Sequence, residues 1–140
     1  MEEDCIFCKI INGDIPSYTI YQDKKTLAFL DINPNSVGHA LVIPKKHAKT
    51  ITEMQDEEVA AIFKTVKKLI NGIQSALEPE GFNLVVNQGE VAGQVIQHFH
   101  CHVIPRNAED GIKLVLKGVS LSPEEFQELV KKISEQIGPL

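Results

Sequence analysis

The chain is poor in aromatic residues and cysteine, and it lacks tryptophan: aromatic residues make up 6% of its 140 positions and cysteine occupies three. An odd number of cysteines argues against a framework of disulfide bonds. No apolar run approaches the roughly 20 residues that a membrane-spanning helix needs. We therefore expect neither a disulfide-stabilised fold nor a membrane protein.

Positive charge is also in deficit. Lysine and arginine total 14 against 19 acidic residues, which gives a formal net charge of −5. Duplex DNA and membrane surfaces attract proteins with a basic face, so we expect no nucleic-acid or membrane partner. A small phosphorylated ligand stays compatible with this charge, because it needs only a local cluster of hydrogen-bond donors.

The length and the first residues bear on organisation and location. A chain of 140 residues, 43% of them hydrophobic, has the usual size of one domain and can bury a core. Residues 1–4 are Met-Glu-Glu-Asp, whereas secretory signals begin with basic residues and transit peptides are rich in arginine. We expect one domain over residues 1–140 and a cytoplasmic location.

Alternating apolar runs bounded by turn residues predict five strands. These strands cover residues 19–22, 26–30, 39–44, 82–86 and 97–105. They follow one another in meander order with one long helix inserted, which predicts an α+β domain built on an antiparallel sheet.

Helical patterns occur in three places. Apolar residues recur at three- and four-residue steps through 56–77, which predicts a long amphipathic helix. A second helix is predicted over 122–137, with Ser122 as N-cap and Gly138-Pro139 at its end. Its apolar stripe consists of Phe126, Leu129, Val130, Ile133 and Ile137. Residues 5–11 form a short helical turn.

Three of the five histidines fall in the run His98-Phe99-His100-Cys101-His102. Side chains alternate along a strand, so the three imidazoles are predicted to share one face, with Phe99, Cys101 and Val103 on the other. Imidazoles clustered in this way add little to packing and are costly to bury charged. They can bind a metal when neutral, or supply a nucleophile with an adjacent acid.

The loop that precedes these histidines helps to choose between the two uses. It places Asn87 and Gln94 beside two glycines, Gly89 and Gly93. Glycine lets backbone N–H groups approach an anion, and the amide side chains can donate further hydrogen bonds. By itself the loop is typical of a flexible hairpin connection, but its position directly before the histidines favours a phosphate site.

The histidine run resembles the His-Φ-His-Φ-His-Φ-Φ signature of the histidine triad (HIT) nucleotide hydrolases and transferases, where Φ is apolar. Three further stretches, 27–34, 38–47 and 92–94, are similar to motifs of the same family and come in the same order. Together the resemblance covers about residues 5–106.

This resemblance implies a fold and an activity. The fold is a five-stranded antiparallel half-barrel with a long central helix and a C-terminal helix, paired as a homodimer through the long helix and a strand. The activity is cleavage of the α-phosphate bond of a purine nucleotide conjugate, without a catalytic cofactor. Adenosine phosphoramidates, dinucleoside polyphosphates and other conjugates all remain open as substrates.

The resemblance also implies roles for the histidines. His100 matches the family's nucleophile, which forms a nucleotidyl-imidazole intermediate that water then hydrolyses. His102 would contact the phosphate and assist the leaving group, and His98 would orient the site. His39 matches an upstream histidine that supports the other three.

Substrate contacts follow from the same resemblance. Asp31 matches the ribose-binding position, and Asn87 with the backbone of Gly93 and Gln94 matches the phosphate site. Apolar positions around the base are matched by Ile6, Phe7, Ile10, Phe29, Ile32 and Leu41, although their residue types alone predict ordinary core. Many members carry Ser or Thr where this chain has Val95, so a hydroxyl is lost there and the preferred leaving group stays open.

The pair Cys5 and Cys8 admits several interpretations by itself, a redox pair and two buried thiols among them, because a zinc site needs about four nitrogen or sulfur ligands. Some HIT proteins with such a pair hold structural zinc through both cysteines, a histidine after the Pro-Lys segment and the first histidine of the triad. The resemblance thus implies one structural zinc per chain on Cys5, Cys8, His47 and His98.

Two alternatives to the triad enzyme remain. One is a metallohydrolase that binds its ion through His98, His100 and His102. The other is a nucleotide-binding interaction protein in which turnover is incidental.

Overall fold

In the computed structural model, which describes residues 3–138, the chain forms five strands and three α-helices. The strands are β1 (Thr19–Gln22), β2 (Thr26–Leu30), β3 (Ala40–Pro44), β4 (Gly81–Val85) and β5 (Cys101–Arg106). The helices are α1 (Ile6–Ile11), α2 (Asp56–Leu77) and α3 (Pro123–Ile137). The predicted α+β class with a five-stranded antiparallel sheet is confirmed. Pro139, predicted to end the last helix, lies outside the described residues together with Met1, Glu2 and Leu140.

The strands do not form the simple meander that their order in the sequence predicts. Their order across the sheet is β1-β2-β3-β5-β4, so β5 lies between β3 and β4. Leu41 of β3 is paired with His102 of β5, and Val85 of β4 is paired with the same histidine on the other side. This insertion brings the histidine run to the middle of the sheet.

Helix α2 covers one face of the sheet. It begins with three acidic residues, Asp56 to Glu58, which complement the helix dipole, and it ends at Glu78 in the left-handed conformation. Its buried side chains Ile62, Val66, Leu69 and Ile73 pack with Ala28, Val42 and Val103 of the sheet. The periodicity predicted both the bounds and the buried side of this helix.

A second, smaller apolar cluster lies on the opposite face, beneath α1. Phe7 of α1 packs there with Leu27, Phe29, Leu41 and Ile43. Because side chains alternate along β2 and β3, neighbouring residues contribute to the two clusters in turn. The sheet is therefore covered on both faces, and α1 is held close to the start of β5.

Helix α3 differs from the other elements. Ser122 and Glu125 form the predicted capping box, and Pro123 begins the helix. Its five apolar side chains are all exposed. Within the described residues, no helix combines the length and the apolar composition needed to cross a membrane.

Candidate active site and metal centre

The predicted strand over 97–105 begins later than expected, at Cys101. Before that residue the backbone N–H of Phe99 donates to the carbonyl of Ala48 at 2.7 Å, which draws the chain away from the sheet ladder. His98 and His100 therefore lie in an irregular segment, and only His102 lies on the strand. The predicted separation of faces is nevertheless confirmed, because Phe99, Cys101 and Val103 join the core under α2.

His100 is oriented by the backbone. Its Nδ1 lies 2.8 Å from the carbonyl oxygen of His98 and can only donate to that acceptor. The proton of the neutral ring is thus held on Nδ1, and Nε2 keeps its lone pair. Edge-to-face contacts with Phe7 and His102, at centroid distances of 5.3 and 5.0 Å, fix the ring further. An imidazole held in this tautomer is suited to nucleophilic attack through Nε2.

His102 is connected to a hydrogen-bond chain that begins at Asn35. The backbone N–H of Asn35 donates to Nδ1 of His39 at 3.0 Å, so a neutral His39 carries its proton on Nε2. That Nε2 lies 3.0 Å from Nδ1 of His102 and 3.6 Å from a carboxylate oxygen of Asp31. When His39 donates to His102, the proton of His102 is on Nε2. His102 can therefore act as a hydrogen-bond donor beside His100.

Burial keeps this chain of imidazoles neutral near pH 7. Burial lowers the pKa of His102 to about 4, with a smaller contribution from the charges of His100 and His39. The pKa of His39 is also lowered by burial, and the nearby Asp31 carboxylate partly opposes this effect. Both rings therefore take part as hydrogen-bonding neutral imidazoles.

His98 has a different environment from the other two triad residues. Its ring is completely buried, and Nε2 lies 2.9 Å from the carbonyl oxygen of Pro44, to which it must donate. Nδ1 is thereby left as a free acceptor, and it faces Cys5 Sγ at 3.2 Å and His47 Nδ1 at 3.1 Å. Burial lowers the pKa of this ring to about 4.

Four ligand atoms converge at this point. Cys5, Cys8, His47 and His98 each offer one atom, and all four atoms lie within 4.8 Å of one another. Cys8 Sγ lies 3.4 Å from His47 Nδ1 and 3.7 Å from His98 Nδ1. Tetrahedral zinc with bonds of about 2.0–2.3 Å places its ligand atoms about 3.3–3.8 Å apart, so the set fits such an ion.

The chemistry of these residues agrees with their spacing. Cys5 is the N-cap of α1, and its sulfur accepts the backbone N–H of Cys8 at 3.3 Å. Burial raises the pKa of the Cys5 thiol, so a nearby cation is needed to favour the thiolate. The Pro44 carbonyl that binds His98 Nε2 directs the other nitrogen toward the sulfurs, as outer hydrogen bonds do in metal sites.

The loop that was predicted to bind phosphate uses most of its donors internally. Gln94 is buried, and its side-chain amide donates to the carbonyls of Lys49 and Ile96 while its oxygen accepts from Gly89 N–H. The backbone N–H groups of Gly93 and Gln94 donate to Glu90 and Gly89. In this conformation the backbone N–H groups of Gly93 and Gln94 are thus used within the loop, and their contact with phosphate stays a prediction.

Two other donors of the loop remain available. The side chain of Asn87 lies against Gly93. A Cβ added at Gly93 would lie 3.3 Å from Nδ2 of Asn87, and Gly93 has a φ of +101°. Val95 is exposed, and within residues 3–138 no acceptor lies in hydrogen-bond range of its backbone N–H. Gly93 thus permits the close approach of Asn87, and Asn87 and Val95 supply the open donors beside the histidines.

The six apolar positions predicted to surround a base separate into three groups. Phe7, Phe29 and Leu41 are buried core, as their residue types alone predicted. Ile10 packs at the edge of this core. Ile6 and Ile32 are exposed, and Ile32 follows Asp31 directly.

Several groups that position the site have no side-chain pattern in the sequence. The carbonyls of Pro44, His98 and Lys49 and the N–H of Asn35 orient the functional side chains. Backbone groups are present at every residue, so only the folded chain reveals which of them are used. The Asn-Pro-Asn turn at 33–35 indicated a loop but not this contact.

With this geometry established, comparison with known proteins is informative. Residues 12–109 match the model of the HIT domain family. The chain is 45% identical over 134 residues to the adenosine 5′-monophosphoramidase of Schizosaccharomyces pombe, covering 95% of this chain and 98% of that protein. It is 46% identical over 110 residues to an adenylylsulfatase of Arabidopsis thaliana, covering 79% of this chain and 56% of that protein.

Solved structures agree with the sequence matches. A HIT family protein from Bacillus anthracis superimposes with a TM-score of 0.92 at 41% identity, over 99% of this chain and 100% of that one. A zinc-bound histidine triad family protein from Mycobacterium smegmatis gives a TM-score of 0.75 at 33% identity, over 96% and 95% of the two chains. The predicted family is therefore confirmed, and the chain belongs to the HIT family.

Proposed function

We propose that this chain is a hydrolase or nucleotidyl transferase that cleaves the α-phosphate bond of purine nucleotide conjugates through a covalent intermediate on His100. One observation carries the proposal. The bond from His100 Nδ1 to the His98 carbonyl leaves a lone pair on Nε2, directly beside the donor His102. The relatives named as a phosphoramidase and an adenylylsulfatase support a nucleotide conjugate as the substrate.

The proposed first step transfers the nucleotidyl group to the enzyme. Nε2 of His100 attacks the α-phosphorus, an N–P bond forms, and the bond to the leaving group breaks. The leaving group departs with the bonding electron pair, accepts a hydrogen bond from Nε2–H of His102 as its charge develops, and takes its proton from solvent. Neutral rings suit this step, because a protonated His100 has no lone pair.

The second step reverses these roles. Water attacks the phosphorus and releases a proton to solvent, and the N–P bond breaks with its electron pair returning to His100 while Nε2–H of His102 again donates to a phosphate oxygen. The nucleoside monophosphate is released. Splitting one displacement into two makes each barrier lower, which is the general benefit of covalent catalysis.

Asp31, Asn87 and Val95 are the proposed substrate contacts around this reaction, with Gly93 and Gln94 shaping the loop. Asp31 is partly exposed beside His39 and is available to a ribose hydroxyl. Asn87 and the N–H of Val95 are the open donors for phosphate oxygens. Ile6, Ile10 and Ile32 are the proposed base contacts, while Phe7, Phe29 and Leu41 support them from the core.

The test is a substrate panel with product analysis. Adenosine phosphoramidate, a dinucleoside polyphosphate and adenylyl sulfate are each incubated with the enzyme in ¹⁸O-labelled water. We expect a nucleoside monophosphate with one ¹⁸O on its phosphate, and samples quenched in alkaline denaturant, in which an N–P bond survives, should carry the nucleotidyl group on His100. Binding of these compounds without any turnover would favour the alternative of a nucleotide-binding interaction protein.

The three-histidine metallohydrolase is not supported. His98 directs its free nitrogen toward Cys5, Cys8 and His47 rather than toward His100. Over residues 3–138 the two groups that could hold a metal are Cys5, Cys8, His47, His98 and Asp31, His39, His102. Neither group contains His100.

One structural zinc ion per chain is proposed at the Cys5, Cys8, His47 and His98 group. The convergence of the four ligand atoms and the zinc-bound relative support it. Such an ion would tie α1 and the loop after β3, which carries His47, to the start of the histidine run. Metal analysis of freshly purified protein should give about one zinc per chain, and a metal-free preparation with full thermal stability would exclude this role.

A homodimer and a cytoplasmic location complete the proposal. The homodimer rests on the family resemblance and the location on the composition of the sequence. Sedimentation at micromolar concentration should report twice the mass of one chain. Cell fractionation with an antibody to the protein checks the location.

A further inference from the structure

The C-terminal part of the chain carries apolar surface that its own chain leaves uncovered. On α3, the stripe consists of Phe126, Leu129, Val130, Ile133 and Ile137. These side chains are between 41% and 81% exposed. A helix of 15 residues is only marginally stable in water by itself, so a partner surface is needed to hold it.

An apolar groove lies elsewhere on the same chain, between β1, the loop after β2 and α2. Its volume is about 550 Å³. The sheet side contributes Ile20, Leu30 and Val37, and the helix side contributes Leu69, Ile73 and Leu77. Ile20, Val37 and Leu77 are themselves at least 45% exposed. The groove is therefore open to an apolar helix.

We propose that α3 of a second copy of this chain occupies this groove, and that the two copies exchange their helices reciprocally. Both surfaces belong to one sequence, so a two-fold axis that satisfies one pair satisfies the other as well. The inference rests on the proposed homodimer and assigns the contact surface that builds it.

The two surfaces match in length. The stripe on α3 runs from Phe126 to Ile137, about 16 Å at the helical rise of about 1.5 Å per residue. The helical wall of the groove runs from Lys68 to Leu77, about 14 Å on the same scale. One helix therefore fills the groove along its length.

The two surfaces also match in charge. Helix α3 carries four glutamates and two lysines, a net charge of −2. Lys68 lines both the groove and a neighbouring hollow that contains Lys24, Lys25, Lys64 and Lys67 with a single acid, Asp23. An acidic helix is thus attracted to the groove by the lysines that cluster beside it.

The connection to α3 starts from the far edge of the sheet. Arg106 binds the Asp110 carboxylate at 2.7 Å and the carbonyl of Ile112 at 2.9 Å, which fixes the chain beside β4 as far as residue 112. β1, which lines the groove, is the opposite edge strand. The ten residues 113–122 that follow can span about 33–36 Å, which is long enough to reach another copy.

Docking there has a consequence for the site. Leu30, Val37 and Gly38 of the groove flank the loop that carries Asp31 and His39. Gly38 already lies against Leu77 of α2, because a Cβ added at Gly38 would lie 2.7 Å from Cδ1 of Leu77. A helix from the second copy would hold this loop from outside, next to the chain of imidazoles.

Photo-crosslinking can locate the helix. A benzophenone amino acid replaces Val130 on the apolar stripe, and in a matched control it replaces Lys131 on the polar side. Light and heavy isotope-labelled chains are mixed, irradiated and digested. We expect crosslinks between light and heavy chains from position 130 to peptides of residues 20–38 or 68–77, and severalfold fewer from position 131.

A variant in the groove gives a second readout. Ala76 lines the groove and is exposed, so Ala76→Glu should lower the crosslink yield severalfold without disturbing the core. Ser75→Glu, exposed and outside the groove, is the control and should leave the yield unchanged. Light scattering on each sample reports the oligomeric state.

The outcomes separate the two proposals. A dimer whose crosslinks map elsewhere, occur only within one chain or do not form at position 130 overturns the helix exchange and leaves the homodimer standing. A monomeric wild-type chain overturns both. Interchain crosslinks to the groove that Ala76→Glu weakens and Ser75→Glu does not weaken support the exchange.

Discussion

The first two histidines of the run, His98 and His100, use the same side chain in opposite ways. At His98 the ring donates through Nε2 and directs Nδ1 toward two sulfurs and another imidazole. At His100 the ring donates through Nδ1 and leaves Nε2 free. In both cases one backbone carbonyl fixes the tautomer. The backbone acceptor that the fold supplies, rather than the residue type, decides which ring nitrogen stays free, and the proposed metal and nucleophile roles follow from this choice.

The largest expected effect is the loss of activity on replacing His100. His100→Asn should lower turnover about 10⁴-fold or more, because loss of a nucleophile removes the covalent path. Nucleotide binding, followed by calorimetry, should persist and the melting temperature should change little. Turnover within tenfold of the wild type would show that His100 is not the nucleophile and that it does not differ from His98 in this role.

Changes in the group of Cys5, Cys8, His47 and His98 should lower the melting temperature more than the catalytic rate. Cys5→Ser combined with Cys8→Ser, or removal of zinc by a chelator, should lower the melting temperature by about 10 °C, which corresponds to a loss of about 2–3 kcal/mol. Part of the activity should remain, since the attack by His100 uses no metal. Calorimetry and kcat measured at a temperature where both proteins are folded check this expectation. Cys101→Ser, which alters a buried thiol outside the metal group, is the control.

The hydrogen bond from His39 to His102 predicts an intermediate loss of activity. His39→Leu removes the donor that faces His102 Nδ1 and should lower kcat about tenfold or more, with KM changed less. His39→Gln can still offer an N–H and should recover part of the loss. Equal losses in both variants would indicate that His39 contributes by packing alone.

The last effect concerns pH and develops only on the acid side. The pKa of His102 is about 4 in the folded chain and its ordinary value is 6.5, so the unfolded chain binds the proton first as pH falls. Stability from this group is therefore complete above pH 6.5 and is lost between pH 6.5 and about 4. Melting temperatures from pH 7.5 to 4 should fall on the acid side, and they should fall less steeply in His102→Gln.

The elements that local pattern determines were predicted well. Helix α2 agrees with its predicted bounds because one apolar stripe, buried from Ile62 to Ile73, repeats at helical spacing, and the capping box at Ser122 is a local arrangement of side chains. The grouping of Cys5, Cys8, His47 and His98 came from family resemblance, and the structure brings the same residues together.

Features that depend on distant backbone groups were predicted poorly. The start of β5 was placed too early because the bond from Phe99 to Ala48 joins segments about 50 residues apart, which no alternation of side chains reveals. The side-chain amide of Gln94 donates to the carbonyl of Lys49, a contact that the sequence does not reveal, and its predicted place at the phosphate site is not tested by this bond. The stripe of α3 was correctly identified as apolar, yet its pattern does not specify which surface it covers.

The double use of His98 bears on how such a chain can change over generations. Its imidazole belongs to the metal group, while its main-chain oxygen holds the nucleophile, and every amino acid has that oxygen. Replacement of this side chain therefore removes a metal ligand but not the acceptor that selects the tautomer of His100. Descendants of the gene can lose the proposed ion and retain the proposed nucleophile, provided that other packing keeps the segment in place.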